Sequence, residues 1–210
     1  MESPLCPPDT RLIETLRWDG AALVRRDLHL ARLARSAAAL GFRHDAAEIA
    51  RTLRQVTGLD PLRVRLTLGK AGDSEATTAP LGPTPPEWRV ALHPSRLSST
   101  DPLLRHKTTQ RALYDAARAA MPPGIDEWIF ANERDELCEG TITTLFFDLG
   151  HGETTPPLTS GCLPGVLREE RLQAGLCREG ILTLTDLPRA RITMGNSLRG
   201  LIPARLVAVG

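Results

Sequence analysis

Among the 26 lysine and arginine residues of this 210-residue chain, only Lys70 and Lys107 are lysines. Arginine can stand in for lysine as a charge, but its guanidinium stays protonated, whereas a lysine amine can shed its proton and act as nucleophile or base. A site that must form an imine with a carbonyl compound therefore accepts only the lysine. Lys107 lies in "LLRHKTTQRALYDAARAA", seven residues before Tyr114, the chain's single tyrosine. Taken as a helix, this stretch sets Lys107, Arg111 and Tyr114 on one face at i, i+4 and i+7, so that an amine, a guanidinium and a phenol project together. A solvated stripe beside a half-buried tyrosine has the same pattern. Lys70, in "GKAGD", lacks the Gly-x-x-x-x-Gly-Lys spacing of a phosphate loop and is read as a loop lysine.

Three other stretches bear on the same chemistry. "SGCLPGVLREE" is a Gly/Pro loop entering a helix, with Pro164 and Gly165 at its start. Backbone N–H groups left over at such a junction can hold an anion, although most such junctions hold none. "TMGNSLRG" places small and hydroxyl residues between glycines, which lets backbone and Ser197 approach a ligand closely, or simply makes a turn. Glu139, in "ELCEGTITTLFF", opens an otherwise apolar strand, where a carboxylate either faces solvent or balances a buried cation. Pyridoxal phosphate would use all four features. Its aldehyde takes an amine, its phosphate an anion site, its ring nitrogen a carboxylate and its phenolic oxygen a hydroxyl neighbour, and the ring then serves as an electron sink.

The bulk of the sequence excludes other classes. The net charge of +1 and pI near 7.8 give no basic excess for nucleic acid, so no nucleic-acid partner is expected. Cys6, Cys138, Cys162 and Cys177 lie far apart without a CxxC pair, which suggests neither a metal site nor a disulfide scaffold. "MESPLCPPDT" lacks a positive start and an apolar run, so no signal peptide is expected, and no stretch approaches a membrane span. A cytoplasmic protein without membrane contact is the expectation.

The elements that must position these residues follow from periodicity. "RLIETLRW", "DG" and "AALVRR" predict two strands around a turn. "DLHLARLARSAAALGF" predicts a helix with Asp27 as N-cap and Gly41 as stop. "DAAEIARTLRQVTG" predicts a second helix and "LRVRLTLG" a strand. Residues 71–86 are rich in Gly, Pro, Ser and Thr and predict a loop, with a strand at "EWRVALHP" and a linker at "SRLSSTDPLL". The second half predicts the helix carrying Lys107, a strand–turn–strand in "DEWIFANERDELCEGTITTLFFDLG", a Gly/Pro loop feeding a helix in "LTSGCLPGVLREERLQAGLCREG", and short strands in "ILTLTDLPRARITMGNSLRGLIPARLVAV". Mixed strands and helices without a strict βαβ repeat predict an α+β fold. It is divided into an N-terminal lobe at 1–97, a linker at 98–105 and a C-terminal lobe at 106–210.

Five blocks, "HLARLARSAAALGF", "HKTTQRALYD", "ELCEGTITTLFF", "SGCLPGVLR" and "GNSLRGLIPARLV", resemble in order and spacing the class IV aminotransferase family. These are the fold-type IV pyridoxal-phosphate enzymes, which include branched-chain and D-amino-acid aminotransferases and 4-amino-4-deoxychorismate lyases. The resemblance covers about residues 12–208. It implies a two-lobed fold, with a small N-terminal α/β lobe and a larger barrel-like C-terminal lobe that binds the cofactor. It implies that Lys107 binds the cofactor aldehyde covalently and shuttles the proton, and that Arg32, in "HLARL", binds the phosphate. Backbone N–H groups of Val166 and Leu167 and the Ser197 hydroxyl would complete the phosphate cradle. Glu139 would pair with the ring nitrogen, and Tyr114 would lie near the phenolic oxygen. A homodimer is implied as well.

The chain departs from the family pattern in places. Relatives begin with a strand and a "DRG…YGDG"-like segment ahead of "LIETLR", so an N-terminally shortened fold is expected. Relatives also tend to have Asn where Thr144 stands. The compact length and the "NSLRGLIPARLV" ending look most like the lyases, which implies release of pyruvate from aminodeoxychorismate to give 4-aminobenzoate, a folate precursor. The alternatives are amino transfer on a branched-chain or D-amino acid, with Arg111 or Arg199 holding the substrate carboxylate, and a module that keeps the fold without turnover.

Overall fold

The computed structural model describes residues 6–208. The leader expectation on residues 1–5 and the last residue of the final predicted strand lie outside it. The described chain divides into two compact units. One runs up to Pro83 and includes His106–Gln110; the other comprises Thr84–Arg105 and the chain from Arg111 onward.

In the first unit the elements run β1 (Arg11–Trp18), β2 (Leu23–Val24), α1 (Arg26–Leu40), α2 (Ala46–Leu53), β3 (Leu62–Gly69) and β4 (Ser74–Pro80). They form an antiparallel sheet in the order β2-β1-β3-β4. The Asp-Gly turn is present. Asp19 Oδ1 accepts the N–H groups of Ala21 and Ala22, and Trp18 pairs with Leu23. Register sets Leu12, Glu14 and Leu16 opposite Leu68, Leu66 and Val64 on one sheet face, and all six are buried. Helix α1 lies against β1, and its own buried residues include Leu33, Ala37 and Leu40. Gly41 ends the helix in the left-handed region as expected, but the cap at the start is Arg25, with Asp27 inside the first turn.

The expected loop at 71–86 contains strand β4, paired with β3 from Leu62↔Pro80 to Leu68↔Ser74. It is an edge strand whose residues are exposed or half-buried. Such a strand needs no apolar alternation, and Pro80 at its end costs no interior ladder bond.

The second unit contains β5 (Trp88–Leu97), α3 (Ala112–Ala119), β6 (Glu127–Asn132), β7 (Leu137–Gly140), β8 (Thr144–Asp148), β9 (Thr154–Thr155), α4 (Val166–Gln173), β10 (Arg178–Glu179), β11 (Arg191–Asn196) and β12 (Gly200–Leu206). Its eight-stranded sheet has the order β10-β9-β8-β11-β12-β5-β6-β7, and a further β7–β8 pairing closes six of these strands on themselves. This is the barrel-like lobe. Ile129 and Ala131 of β6 point into a core with Val90, Leu145, Met194 and Ile202, while Trp128 and Phe130 pack on the other side with Ala117 and Cys138. "ILTLT" is not a strand; it contributes an isolated bridge, Glu136↔Thr183.

Two expectations need correction. The division falls at Pro83 rather than at residue 97, because β5 pairs in parallel with β6 and β12 and so belongs to the barrel. Within the expected 98–105 linker, Pro102–Arg105 form a short 3-10 turn. The second correction concerns Lys107, which is not helical. Residues 106–110 lie beside β1 with bends at His106 and Thr109, and one antiparallel bridge joins them to it: Leu12 bridges Thr108, Ile13 N–H donates to Lys107 O at 2.8 Å, and Thr109 N–H donates to Arg11 O at 2.9 Å. Arg11 N–H also donates to Thr109 Oγ1. Two β-branched threonines suit that bridged backbone, and α3 begins only at Ala112, after the Arg111 cap.

One glycine in the second unit has a backbone conformation and a close neighbour that only glycine suits. Gly161 has φ 86° and ends a short 3-10 turn, and a Cβ there would lie 2.8 Å from Ser99 Cα. Gly161→Ala should therefore lower the unfolding free energy by about 1–3 kcal/mol, read as a drop in the urea midpoint.

Candidate functional site

The first unit holds Lys107, Arg32 and a buried carboxylate that the sequence reading did not single out. Lys107 is half-buried, with its backbone fixed to β1. The preceding residue, His106, places Nδ1 3.0 Å from Ser36 Oγ on α1. Arg32 is 5% exposed and grips Glu14 side-on: Nε donates to Oε1 at 2.9 Å and Nη2 to Oε2 at 2.6 Å. His29 Nδ1 lies 2.5 Å from the same Oε2. His29 and Arg32 are one helical turn apart on α1, and both reach the apolar face of β1, where Glu14 alternates between Leu12 and Leu16.

Burial alone would push the Glu14 carboxyl up. The charge of Arg32, together with the hydrogen bonds from His29 and Arg32, outweighs that and holds it at about 2. A buried ion pair adds little net stability, but removing one partner strands the other charge at a cost of about 3–5 kcal/mol. The pattern that could have revealed Glu14 is visible in "LIETLRW": an acid at the centre of an alternating apolar strand needs a cation on whatever packs over it.

The second unit holds the other candidates. Glu139, on β7, is 8% exposed. Its Oε1 accepts the Tyr114 hydroxyl at 2.6 Å and its Oε2 the Leu163 N–H at 2.9 Å. Glu139 therefore does not face solvent, and the donors it meets here include a phenol and a backbone amide. Tyr114 stands on α3 with its ring edge-on to Phe130 at 5.3 Å, and Phe130 is the cross-strand partner of Glu139. Burial first, then the Glu139 charge, push the Tyr114 phenol far above its ordinary value. Cys138 and Cys162 adjoin Glu139 and Leu163 in sequence. Burial and then Glu139 push the Cys162 thiol up to about 12, so it is no thiolate nucleophile near neutral pH.

Val166 and Leu167 form the first turn of α4, which opens at Gly165 without a side-chain cap. A Cβ on Gly165 would fall 2.4 Å from Thr144 Oγ1, so Thr144 and the helix entry are closely fitted. A Cβ on Gly195 would meet Leu167 Cδ2 at 3.0 Å, which sets the α4 start against β11. Ser197 follows β11 directly and is 7% exposed, in a turn where Asn196 Oδ1 accepts the N–H groups of Leu198 and Arg199.

The two arginines considered for substrate carboxylates are engaged elsewhere. Arg111 Nε donates to Asp115 Oδ1 at 2.7 Å and its Nη2 to Thr141 O, while Arg199 Nη1 donates to Thr84 Oγ1 at 3.0 Å. Lys107, Arg111 and Tyr114 do not share a helix face, because α3 begins after Lys107. Among the described residues no group of three or more His, Cys, Asp or Glu side chains could hold a metal ion, and no helix is long and apolar enough to cross a membrane.

Comparison with known proteins gives this arrangement a family. The amino-transferase class IV model matches residues 11–207, and the chain belongs to that family. A crystal structure of a candidate amino-acid aminotransferase from Mesorhizobium loti is 47% identical, covering 95% of this chain and 100% of that one, with a TM-score of 0.91. A pyridoxal-phosphate-bound structure of a hypothetical aminotransferase from Mycobacterium tuberculosis shares the fold at 19% identity, with 93% and 81% coverage and a TM-score of 0.78. The aminodeoxychorismate lyase of Saccharomyces cerevisiae is 28% identical over 130 residues, 53% of this chain; the match spans about a third of the yeast protein, 33%.

The fold is therefore fold-type IV, and the chain is an enzyme of a pyridoxal-phosphate-dependent family. The donor set fits that cofactor. The first unit contains a primary amine, and the second contains a buried carboxylate, a helix start without a side-chain cap and a buried serine hydroxyl.

The depressed carboxyl of Glu14 gives a pH prediction with a definite sign. Its folded value lies below the ordinary 4.5, so its contribution is complete above that value and is lost as pH falls through about 2. Glu14 should contribute on the order of 3 kcal/mol to the fall of wild-type stability over this window, beside the contribution of Glu136, which its hydrogen bonds hold equally low. Glu14→Gln should be less stable at neutral pH and show a shallower fall in the urea midpoint over this window than wild type; an equal slope in the variant would exclude Glu14 as a source.

Proposed function

We propose that the chain is a 4-amino-4-deoxychorismate lyase that releases pyruvate and forms 4-aminobenzoate. The observation that carries the choice of reaction is the similarity to the yeast aminodeoxychorismate lyase. The family as a whole supports lyase and transaminase chemistry equally.

In this reading Lys107 Nζ would hold the cofactor aldehyde until the substrate amine takes its place, and the freed amine would then remove the proton from the substrate ring carbon bearing the amine and supply a proton on the way to pyruvate. Arg32, the Val166 and Leu167 backbone N–H groups and the Ser197 hydroxyl hold the phosphate. The Glu139 carboxylate accepts the ring N–H. When bound, pyridoxal phosphate supplies the electron sink. No second substrate enters the balance, since aminodeoxychorismate contains all the atoms of 4-aminobenzoate and pyruvate. One amine acting first as base and then as acid is sufficient. The reading includes a cytoplasmic homodimer serving folate synthesis, and light scattering of the purified protein tests the dimer.

Amino transfer is the second reading, favoured by the Mesorhizobium loti protein, which is similar along its whole length. It would act on a branched-chain or D-amino acid and needs a carboxylate grip. Arg111 and Arg199 would have to leave Asp115, Thr141 and Thr84 to provide it.

The two readings separate in one assay. Purified holoenzyme given aminodeoxychorismate and no 2-oxo acid should release pyruvate, measured with lactate dehydrogenase, together with one 4-aminobenzoate per pyruvate. Lys107→Ala should lower that rate by roughly 1000-fold or more while unfolding at a similar urea midpoint. Amino transfer to a 2-oxo acid with no pyruvate release would eliminate the lyase reading.

A further inference from the structure

Tyr114 differs from the other candidates in what it touches. Its hydroxyl ends on a carboxylate oxygen of Glu139 at 2.6 Å. The ring is held in place from two sides, edge-on to the fully buried Phe130 and under the Arg111 guanidinium, whose Cζ lies 5.8 Å from the ring centre. The second carboxylate oxygen is held by the Leu163 N–H. Donors from α3 and from the loop before α4 thus fix both oxygens of one buried acid.

We propose that Tyr114 is a positioning residue that acts through Glu139 and does not itself touch the cofactor. It fixes the carboxylate plane and weakens its basicity, so that a protonated ring nitrogen keeps its proton. This rests on the reading of Glu139 as the partner of the ring nitrogen.

The chemistry follows from the hydrogen bond. A donor to an ionised carboxylate draws charge from it and lowers its affinity for a further proton. Without the phenol, Oε1 becomes more basic and the carboxylate freer to turn. The proton of the ring N–H then shifts toward oxygen, and the ring becomes a poorer electron acceptor. A phenol is a fitting donor here, because burial and the adjacent charge keep it protonated throughout the working range.

A double-mutant cycle tests this, read by the nitrogen NMR signal of ring-labelled pyridoxal phosphate in the holoenzyme and by turnover. Tyr114→Phe should move the ring-nitrogen signal away from the protonated position and lower turnover by about 10-fold or more, the worth of one hydrogen bond to a charged group. In a Glu139→Gln background the same change should move neither. If Tyr114→Phe has equal effects in both backgrounds, Tyr114 acts on the cofactor or the fold directly and the proposal is overturned.

Because the chain has one tyrosine, biosynthetic fluorotyrosine alters only this site. Being a stronger donor of nearly the same shape, it should move the signal in the opposite direction to phenylalanine. Absence of that reversal also overturns the proposal, and this arm survives a poorly folded Phe variant. If Glu139→Gln leaves the ring signal unchanged, the assignment of Glu139 falls and takes this role with it. If Glu139→Gln moves the signal and Tyr114→Phe does not, only the role of Tyr114 falls.

Discussion

The backbone bridge between residues 106–110 and β1 sets the character of this protein. The Ile13 N–H to Lys107 O and Thr109 N–H to Arg11 O bonds bind a short segment, nearly a hundred residues downstream, to the first strand of the first unit. The chain leaves the second unit after Arg105, bridges β1 through Thr108, and returns to the second unit at Arg111. The scarce amine is thereby carried on β-paired backbone rather than on a helix whose first turn could fray. Hydrogen-bonded backbone has few soft degrees of freedom, so the Lys107 backbone is held in one position.

Three buried carboxylates show a common solution to one physical problem. Glu14, Glu127 and Glu139 all sit on strands, and all are shielded from water. An ionised group in such a place persists only if fixed donors replace its hydration. Glu14 takes them from α1. Glu127 takes them from the turn after β7, accepting the N–H groups of Thr141 and Ile142 and the hydroxyls of Thr141 and Thr143. Glu139 takes them from Tyr114 and Leu163. Glu127 therefore shapes the β7–β8 turn that closes the barrel, while Glu14 and Glu139 each fix a group in the candidate site. The same bonding pattern shapes a barrel turn in one case and the candidate site in the others.

Much of this was legible in the residue pattern. The eight residues of β1 and the eight of β3 coincide with "RLIETLRW" and "LRVRLTLG", and α1 stops at Gly41, where the sequence predicts it. Those segments obey period or punctuation rules that depend only on neighbours along the chain. Strand β4 escaped because an edge strand can be polar on both faces. The helical reading of residues 103–120 failed in its first half because a long-range bridge overrode a local i, i+4 pattern. Glu14 was readable in principle, as an acid in an apolar alternation, but its partners were not.

The sequence by itself determined the chemical inventory and the family. Two lysines where arginine is otherwise used, five blocks in order, and a cofactor-compatible set of donors are properties of residue identity and spacing, and these are written along the chain. The tertiary structure alone decided which groups meet: Tyr114 with Glu139, Arg32 and His29 with Glu14, and Lys107 with the backbone of β1. Those contacts join residues 15 to 94 positions apart, and their geometry is set by strand register, helix packing and the desolvation of charge. No local pattern encodes such pairings, because their energy exists only once water has been excluded from both partners.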